Sequence, residues 1–73
     1  MNLDGLCELI YGDGWEHEDK ERKLLDVKHQ LQELFRLTPA AIIKWEKKKI
    51  PADRLPQIIV HFDLPRDVIY RGL

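Results

Sequence analysis

Thr38 and Pro39 mark the sharpest boundary in this sequence. A threonine hydroxyl can cap the N-terminus of a helix, and proline suits the first helical position, where its missing N–H has no partner. Proline also disfavours helical geometry at the residue before it. The boundary therefore predicts that one helix ends by about Leu37 and that a second begins at Pro39, with three or four residues left for the turn.

Apolar residues recur at helical spacing on both sides of this boundary. The stripe before it predicts a helix that begins by Leu24, or as early as Glu16 because residues 16–35 contain no Gly or Pro. This stripe consists of Leu24, Val27, Leu31, Leu34 and Phe35. After the boundary, Ala41, Ile42 and Trp45 predict a helix over residues 39–48. Three lysines at its end, Lys47, Lys48 and Lys49, suit the negative end of a helix dipole.

The rest of the chain adds three shorter helical patterns. Leu3, Leu6, Leu9 and Ile10 predict a helix up to Tyr11, which Asn2 or Asp4 would cap. Another helix is expected from Asp53 or Arg54 through Phe62, and a last one after Leu64. Alternating strand patterns longer than three or four residues do not occur. The predicted fold is all-α, with about five short helices in a single domain over residues 1–73.

Charge is divided unevenly along the chain although the net charge is −1. Residues 1–22 hold seven acidic and two basic side chains, a net charge of −5. Residues 23–73 hold ten basic and six acidic side chains, a net charge of +4. Such asymmetry is typical of a nucleic-acid surface beside an acidic segment, and also of an ordinary solvated surface with uneven charge.

Several function classes lack the residues they need. The chain has no serine, no glycine-rich loop and one cysteine, so we expect neither an enzyme nor a small-molecule substrate. Cys7 cannot form an internal disulfide, and its apolar neighbours favour a small buried hydrophobe. The three histidines, His17, His29 and His61, form no close ligand pair, so no metal or cofactor is expected.

The location expected for this chain is the cytoplasm. Its uncharged runs, such as residues 37–43, are far shorter than a membrane span. Asp4 and Glu8 interrupt what would be the apolar region of a signal peptide. A lone cysteine also fits a reducing compartment.

Two helices joined by a short turn, over residues 24–48, match the helix-turn-helix layout. The segment TPAAIIKWEKKKIPADRLPQI resembles the Cro-like repressors of phages and prophages, including the YdaS-type regulators. Members typically pair a Lys-Trp-Glu-like run with an Ile-Pro-Ala-Glu-Arg-like continuation. These stand here as Lys44-Trp45-Glu46 and Ile50-Pro51-Ala52-Asp53-Arg54, and the resemblance covers residues 24–73.

The chain departs from the family pattern in two places. Gln32 and Arg36 occupy positions where the family usually has a small residue and a turn glycine. Because a turn glycine often adopts positive φ, which arginine tolerates poorly, we expect a reshaped turn. An acidic insertion over residues 13–22 also looks longer than the family's usual link between its first two helices.

The resemblance implies a transcriptional regulator that binds double-stranded DNA, in a bacterial or phage-infected cell. The helix over residues 39–48 would enter the major groove, with Ile42 and Trp45 facing the core. The implied base contacts are Thr38, Ala40, Ala41, Ile43, Lys44 and Lys47. The implied phosphate contacts are Lys28, Arg36, Lys48, Lys49 and Arg54. This surface is poor in bidentate readers, so a homodimer on a two-fold operator is expected.

A protein-interaction module on the same fold is the alternative. An antitoxin, an anti-repressor or a phage inhibitor would use the acidic segment over residues 13–21 and the apolar Ile43 against a protein partner. A further alternative is that the acidic segment folds over the basic face and suppresses DNA binding. At single positions the plainer interpretations are a solvated helix end for residues 47–49 and a surface turn at Arg36. Tyr70 and residues 68–73 would either pack on the core or form the dimer contact.

Overall fold

Four α-helices make up most of the residues that the structure, a computed structural model, describes, which are residues 2–67. They are α1 (Leu3–Tyr11), α2 (Lys20–Phe35), α3 (Pro39–Lys47) and α4 (Leu55–Phe62). Short 3-10 turns at Trp15–His17 and Ala52–Arg54 precede α2 and α4. None of residues 2–67 lies in a strand, so the all-α prediction is confirmed for this part of the chain.

The prediction of about five helices is wrong for the described residues, which contain four. Asp63 ends α4 in the left-handed conformation, with φ of 55°. The Leu64 N–H then donates to the Ile59 carbonyl at 2.9 Å, which closes the helix end. Arg66 and Asp67 form a turn, and residues 68–73, where the fifth helix was expected to continue, lie outside the described residues.

The beginnings of the helices follow their capping residues. The Asn2 side chain accepts a hydrogen bond from the Gly5 N–H at 2.7 Å, so Asn2 rather than Asp4 caps α1. The Thr38 hydroxyl oxygen accepts one from the Ala41 N–H at 3.2 Å, which confirms the predicted start of α3. α2 begins at Lys20, between the two expected starts, because Glu18 is extended and Asp19 is left-handed.

The core is built around α2, which contacts α1, α3 and the turn at Trp15–His17. Its buried members are Leu3, Leu6, Cys7, Trp15, Val27, Leu31, Ile42, Trp45, Ile50, Leu55 and Ile58. Each buried Leu or Ile stabilises the fold by about 1.5–3 kcal/mol relative to an exposed one. The sequence pattern missed Trp15 as a core residue, because Trp15 stands alone between charged residues with no periodic partner.

Cys7 is a buried side chain of α1, as its apolar neighbours predicted. Burial, followed by the negative charge of Asp4, raises the pKa of its thiol to about 11. The thiol is therefore neutral at physiological pH and acts as a small apolar group in the core. No helix within residues 2–67 is long and apolar enough to cross a membrane.

Candidate nucleic-acid interface

The turn between α2 and α3 spans residues 36–38 and has a left-handed residue at its start. Arg36 has φ of 53° and ψ of 47°, the conformation that glycine adopts most easily. The N–H groups of Arg36 and Leu37 both donate to the Gln32 carbonyl, the latter at 3.0 Å. The turn therefore keeps left-handed geometry with an arginine in it, at a cost of about 1–2 kcal/mol.

One face of α3 attaches the helix to the core. Ile42 and Trp45 are buried, as the resemblance implied. The Trp45 ring meets Phe35, near the end of α2, edge to face at a centroid distance of 5.6 Å. Such an aromatic pair adds about 0.5–1.5 kcal/mol to the effect of burial. The anchoring leaves the opposite face of α3 to the solvent.

That outward face carries four of the six residues expected to contact bases. Ala40, Ile43, Lys44 and Lys47 are exposed, and their spacing places them along one side of the helix. Ile43 has 47% of its surface exposed. Thr38 is exposed beside them at the N-cap, whereas Ala41 is only half-exposed.

The residues expected to contact phosphates fall into two groups. Lys48 and Lys49 are exposed directly after α3, and Arg36 and Arg54 are exposed beside the end of α2. The Arg54 guanidinium lies 5.1 Å from the centroid of the Phe35 ring, which holds it by a cation–π contact.

Lys28 differs from these four cations. Its ammonium pairs with the Glu46 carboxylate of α3 at 2.8 Å, and only 22% of its side chain is exposed. The pair joins α2 to α3 on the same side as the contact between Phe35 and Trp45. Because Glu46 already neutralises Lys28, this lysine adds little positive charge to the outer surface.

The acidic segment, residues 13–22, lies at the other end of α2. All its side chains are exposed except Trp15. The Lys23 ammonium donates to the Trp15 carbonyl at 3.1 Å and lies 5.5 Å from the Tyr11 ring centroid. Within residues 2–67, no ion pair joins the acidic segment to the lysines of α3. The basic face of α3 is therefore not covered by the acidic segment.

Negative charges crowd each other where α1 meets the acidic segment. A side-chain hydrogen bond between Glu8 and Asp13, with the charge of Asp13, raises the pKa of Glu8. Burial, with the charge of Asp26 second, raises the pKa of Tyr11. No group of three His, Cys, Asp or Glu side chains within residues 2–67 is arranged to hold a metal ion.

Sequence reasoning missed the contacts that position the expected site. Glu46 pairs with Lys28 across 18 positions of the sequence, and Phe35 contacts both Trp45 and Arg54. The only signal available for Phe35 was its place at the edge of the apolar stripe of α2. No protein-family model, no curated protein and no solved structure matches this chain.

Proposed function

We propose that this chain is a sequence-specific DNA-binding transcriptional regulator of the Cro type, with α3 as its recognition helix. The observation that carries the proposal is the two-sided character of α3. Ile42 and Trp45 fix one face to α2, while Lys44 and Lys47 project from the other. A rigidly held helix with a positive outward face fits the major groove, which is wide enough to admit an α-helix.

Base recognition would come from the outward face of α3. Lys44 and Lys47 would donate to the O6 and N7 acceptors of guanine. Ile43, Ala40 and the methyl group of Thr38 would contact thymine methyl groups. Ala41 is half-buried and would contribute only at the edge of this surface.

Phosphate contacts would position the helix without reading sequence. Lys48 and Lys49 would contact the backbone beyond the end of α3, and Arg36 and Arg54 would contact it from the end of α2. Because Phe35 holds the Arg54 guanidinium in place, less side-chain entropy is lost when Arg54 meets a phosphate. Lys28 would make the weakest contribution because Glu46 neutralises it.

The regulator would act as a homodimer on a two-fold operator. A helix of nine residues contacts only a few base pairs, so one protomer discriminates poorly. Two protomers about one DNA turn apart would double the site that is read. Occupation of the operator would then exclude polymerase or a competing repressor.

Selection from random duplex DNA at low salt tests this proposal. The expected result is enrichment of a sequence with two-fold symmetry and a half-site spacing near one helical turn, about 10 base pairs. Failure to enrich any sequence, with protein shown to be folded by circular dichroism, would contradict sequence-specific binding.

Lysine substitutions on α3 locate the reading surface. Lys44→Ala with Lys47→Ala should reduce the ratio of operator to random-DNA affinity by about tenfold or more, since each base contact is worth about 1–3 kcal/mol. Lys20→Ala removes an exposed lysine from the start of α2 and should leave that ratio unchanged. An equal loss of affinity for operator and random DNA would contradict base reading by Lys44 and Lys47.

A protein-interaction module is the second candidate, and the exposure of Ile43 favours it. A large apolar side chain on a charged surface is typical of protein contacts, and the acidic segment would pair with a basic partner. This candidate predicts no binding to any duplex at low salt and a stable complex with a protein. Ile43→Lys would weaken that complex. In a DNA-binding protein, by contrast, the same substitution would leave or increase the affinity for random DNA.

A further inference from the structure

One ion pair joins α3 to the helix that precedes it. The Lys28 ammonium of α2 lies 2.8 Å from the Glu46 carboxylate of α3. The two side chains are 22% and 38% exposed, so the pair is partly shielded from solvent. Salt screens such a pair less than it screens a fully exposed one. The pair can therefore act on the placement of α3 as well as on its charge.

The buried contacts of α3 lie close to one line along the helix. Ile42 and Trp45 are buried and stand three positions apart, about 60° around the helix axis. Glu46 lies about 40° from Ile42 on the side away from Trp45. The ion pair thus widens the base on which this nine-residue helix rests. Rotation of α3 in either direction lengthens the contact of Trp45 or the contact of Glu46.

The partners of these side chains on α2 are also spread out. Lys28 and Phe35 are seven positions apart, which places them on one face of α2 about two turns, or about 10 Å, from each other. Adjacent residues of α3 reach these two points. The Glu46 carboxylate contacts Lys28, and the Trp45 ring meets the Phe35 ring at a centroid distance of 5.6 Å. α3 therefore cannot slide along α2 toward one point without leaving the other.

We infer that Lys28 and Glu46 form a positioning brace, which fixes the rotation of α3 and thereby the side chains that it presents to bases. At a radius of about 6 Å, a rotation of about 10° moves a side chain by about 1 Å. A binding surface must be held to within about 0.5 Å and 10–20°. This role rests on the proposed function, because the brace acts through Lys44 and Lys47 and makes no base contact of its own.

The opposite role for the pair would be to hold Lys28 away from a phosphate until DNA binds. The contacts favour the brace. Release of Lys28 would leave Glu46, a residue of the recognition helix, as an unpaired negative charge close to the phosphates. The two roles predict different effects of Glu46→Gln: loss of the brace reduces selectivity, whereas a released lysine increases the affinity for every duplex.

DNA affinities of Glu46→Gln distinguish these roles, since glutamine keeps the size of the side chain and removes its charge. The ratio of operator to random-DNA affinity should fall about two- to fivefold, the effect of a partly exposed ion pair. Glu33→Gln is the matched control, because it removes the same charge from an exposed position of α2, and it should leave the ratio unchanged. An unchanged ratio in Glu46→Gln, with equal gains in affinity for both DNAs, would overturn the brace.

A charge-reversed pair separates the contact from the loss of either residue. Lys28→Glu and Glu46→Lys should each lower the ratio, because each places two like charges side by side. Together the two substitutions restore opposite charges, so the ratio should return most of the way to the wild-type value. A double variant that shows the product of the two single losses would contradict a direct role of the pair.

Nuclear magnetic resonance of the free protein keeps this inference distinct from the proposed function. If the brace fixes the rotation of α3, Glu46→Gln should shift the amide resonances of Ala40 and Ala41, more than one turn away, and the ring protons of Phe35 beside Trp45. Shifts confined to the neighbours of position 46 would overturn the brace. Shifts along all of α3, in a protein whose wild type selects no operator, would contradict the proposed function and leave the brace standing.

Discussion

The acidic segment and the basic helix α3 are attached to the same core in the same way. Each carries charge to the surface and each contributes one buried tryptophan, Trp15 at 5% exposure and Trp45 at 9%. The acidic segment packs near the start of α2, while α3 packs near its end. The molecule therefore presents two oppositely charged regions on a single scaffold helix, rather than a charged tail beside a folded domain.

This difference in charge acts locally. The described chain extends over 30 × 29 × 20 Å, and the screening length at physiological ionic strength is about 8 Å. Charges at opposite ends of α2 are thus largely screened from each other. A net charge of −1 consequently says little about what α3 attracts.

Replacing the two tryptophans has the largest expected effect and tests the likeness between the regions. Trp45→Ala and Trp15→Ala should each lower the free energy of unfolding by about 3–5 kcal/mol, because each leaves a cavity in one core. Urea denaturation measures the free energy of unfolding. If an Ala variant does not fold, the corresponding Trp→Phe variant is measured instead. Leu25→Ala, at an exposed position, should change the free energy by less than about 0.5 kcal/mol. A loss of less than about 1 kcal/mol for Trp15→Ala would show that the acidic segment is not anchored to the core by Trp15.

The two left-handed residues that flank α2 give a smaller effect of opposite sign. Arg36→Gly should raise the free energy of unfolding by about 1 kcal/mol, since glycine adopts φ of 53° without strain. Asp19→Gly should raise the free energy of unfolding by less. Aspartate tolerates this conformation, and the Asp19 carboxylate pairs with Arg22 at 3.2 Å. Thermal or urea denaturation of both variants measures the difference. Destabilisation by Arg36→Gly would contradict the strained turn.

Arg36→Gly also separates stability from binding. If Arg36 contacts a phosphate, the more stable variant should bind operator and random DNA more weakly by the same factor. A variant that is both more stable and equally tight in binding would remove Arg36 from the phosphate-contacting set.

The smallest expected effect concerns Glu8 of α1 and Asp13 of the acidic segment. The pKa of Glu8 is raised in the folded protein, so the folded state binds this proton more tightly than the unfolded chain. Its contribution to stability is present at low pH and is lost as pH rises through the folded pKa. Glu8→Gln should therefore raise the Tm at pH 7 and leave it nearly unchanged at low pH. Glu33→Gln, at an exposed glutamate of α2, is the control, and an equal shift there would contradict the pairwise repulsion.

The sequence predicted those parts of the fold that depend on local chemistry. Thr38 and Pro39 predicted the start of α3 because capping and the φ of proline are properties of adjacent residues. The resemblance implied which side of α3 would be buried, and Ile42 and Trp45 are indeed buried. The start of α2 could not be predicted in this way, because residues 16–23 are all compatible with a helix and the left-handed conformation of Asp19 has no signal in the sequence.

The candidate site was predictable in composition but not in detail. The exposed lysines of α3 were implied by the family resemblance, whereas the pairing of Lys28 with Glu46 required two helices to be placed in space. The same is true of the contact between Arg54 and the Phe35 ring. Arg36 adopts the left-handed conformation, which arginine disfavours. The residue type therefore gave no reason to expect that conformation at position 36.

The salt dependence of DNA binding tests the central claim most directly. Four exposed cations, Arg36, Lys48, Lys49 and Arg54, predict that the logarithm of the association constant falls with the logarithm of salt concentration with a slope of about −3 to −4 per protomer. Lys48→Ala with Lys49→Ala should reduce the magnitude of the slope by about 2 and preserve the ratio of operator to random-DNA affinity. Lys20→Ala, in the acidic region, should leave the slope unchanged. A slope near zero, or equal effects of lysines from both regions, would contradict the assignment of DNA binding to α3.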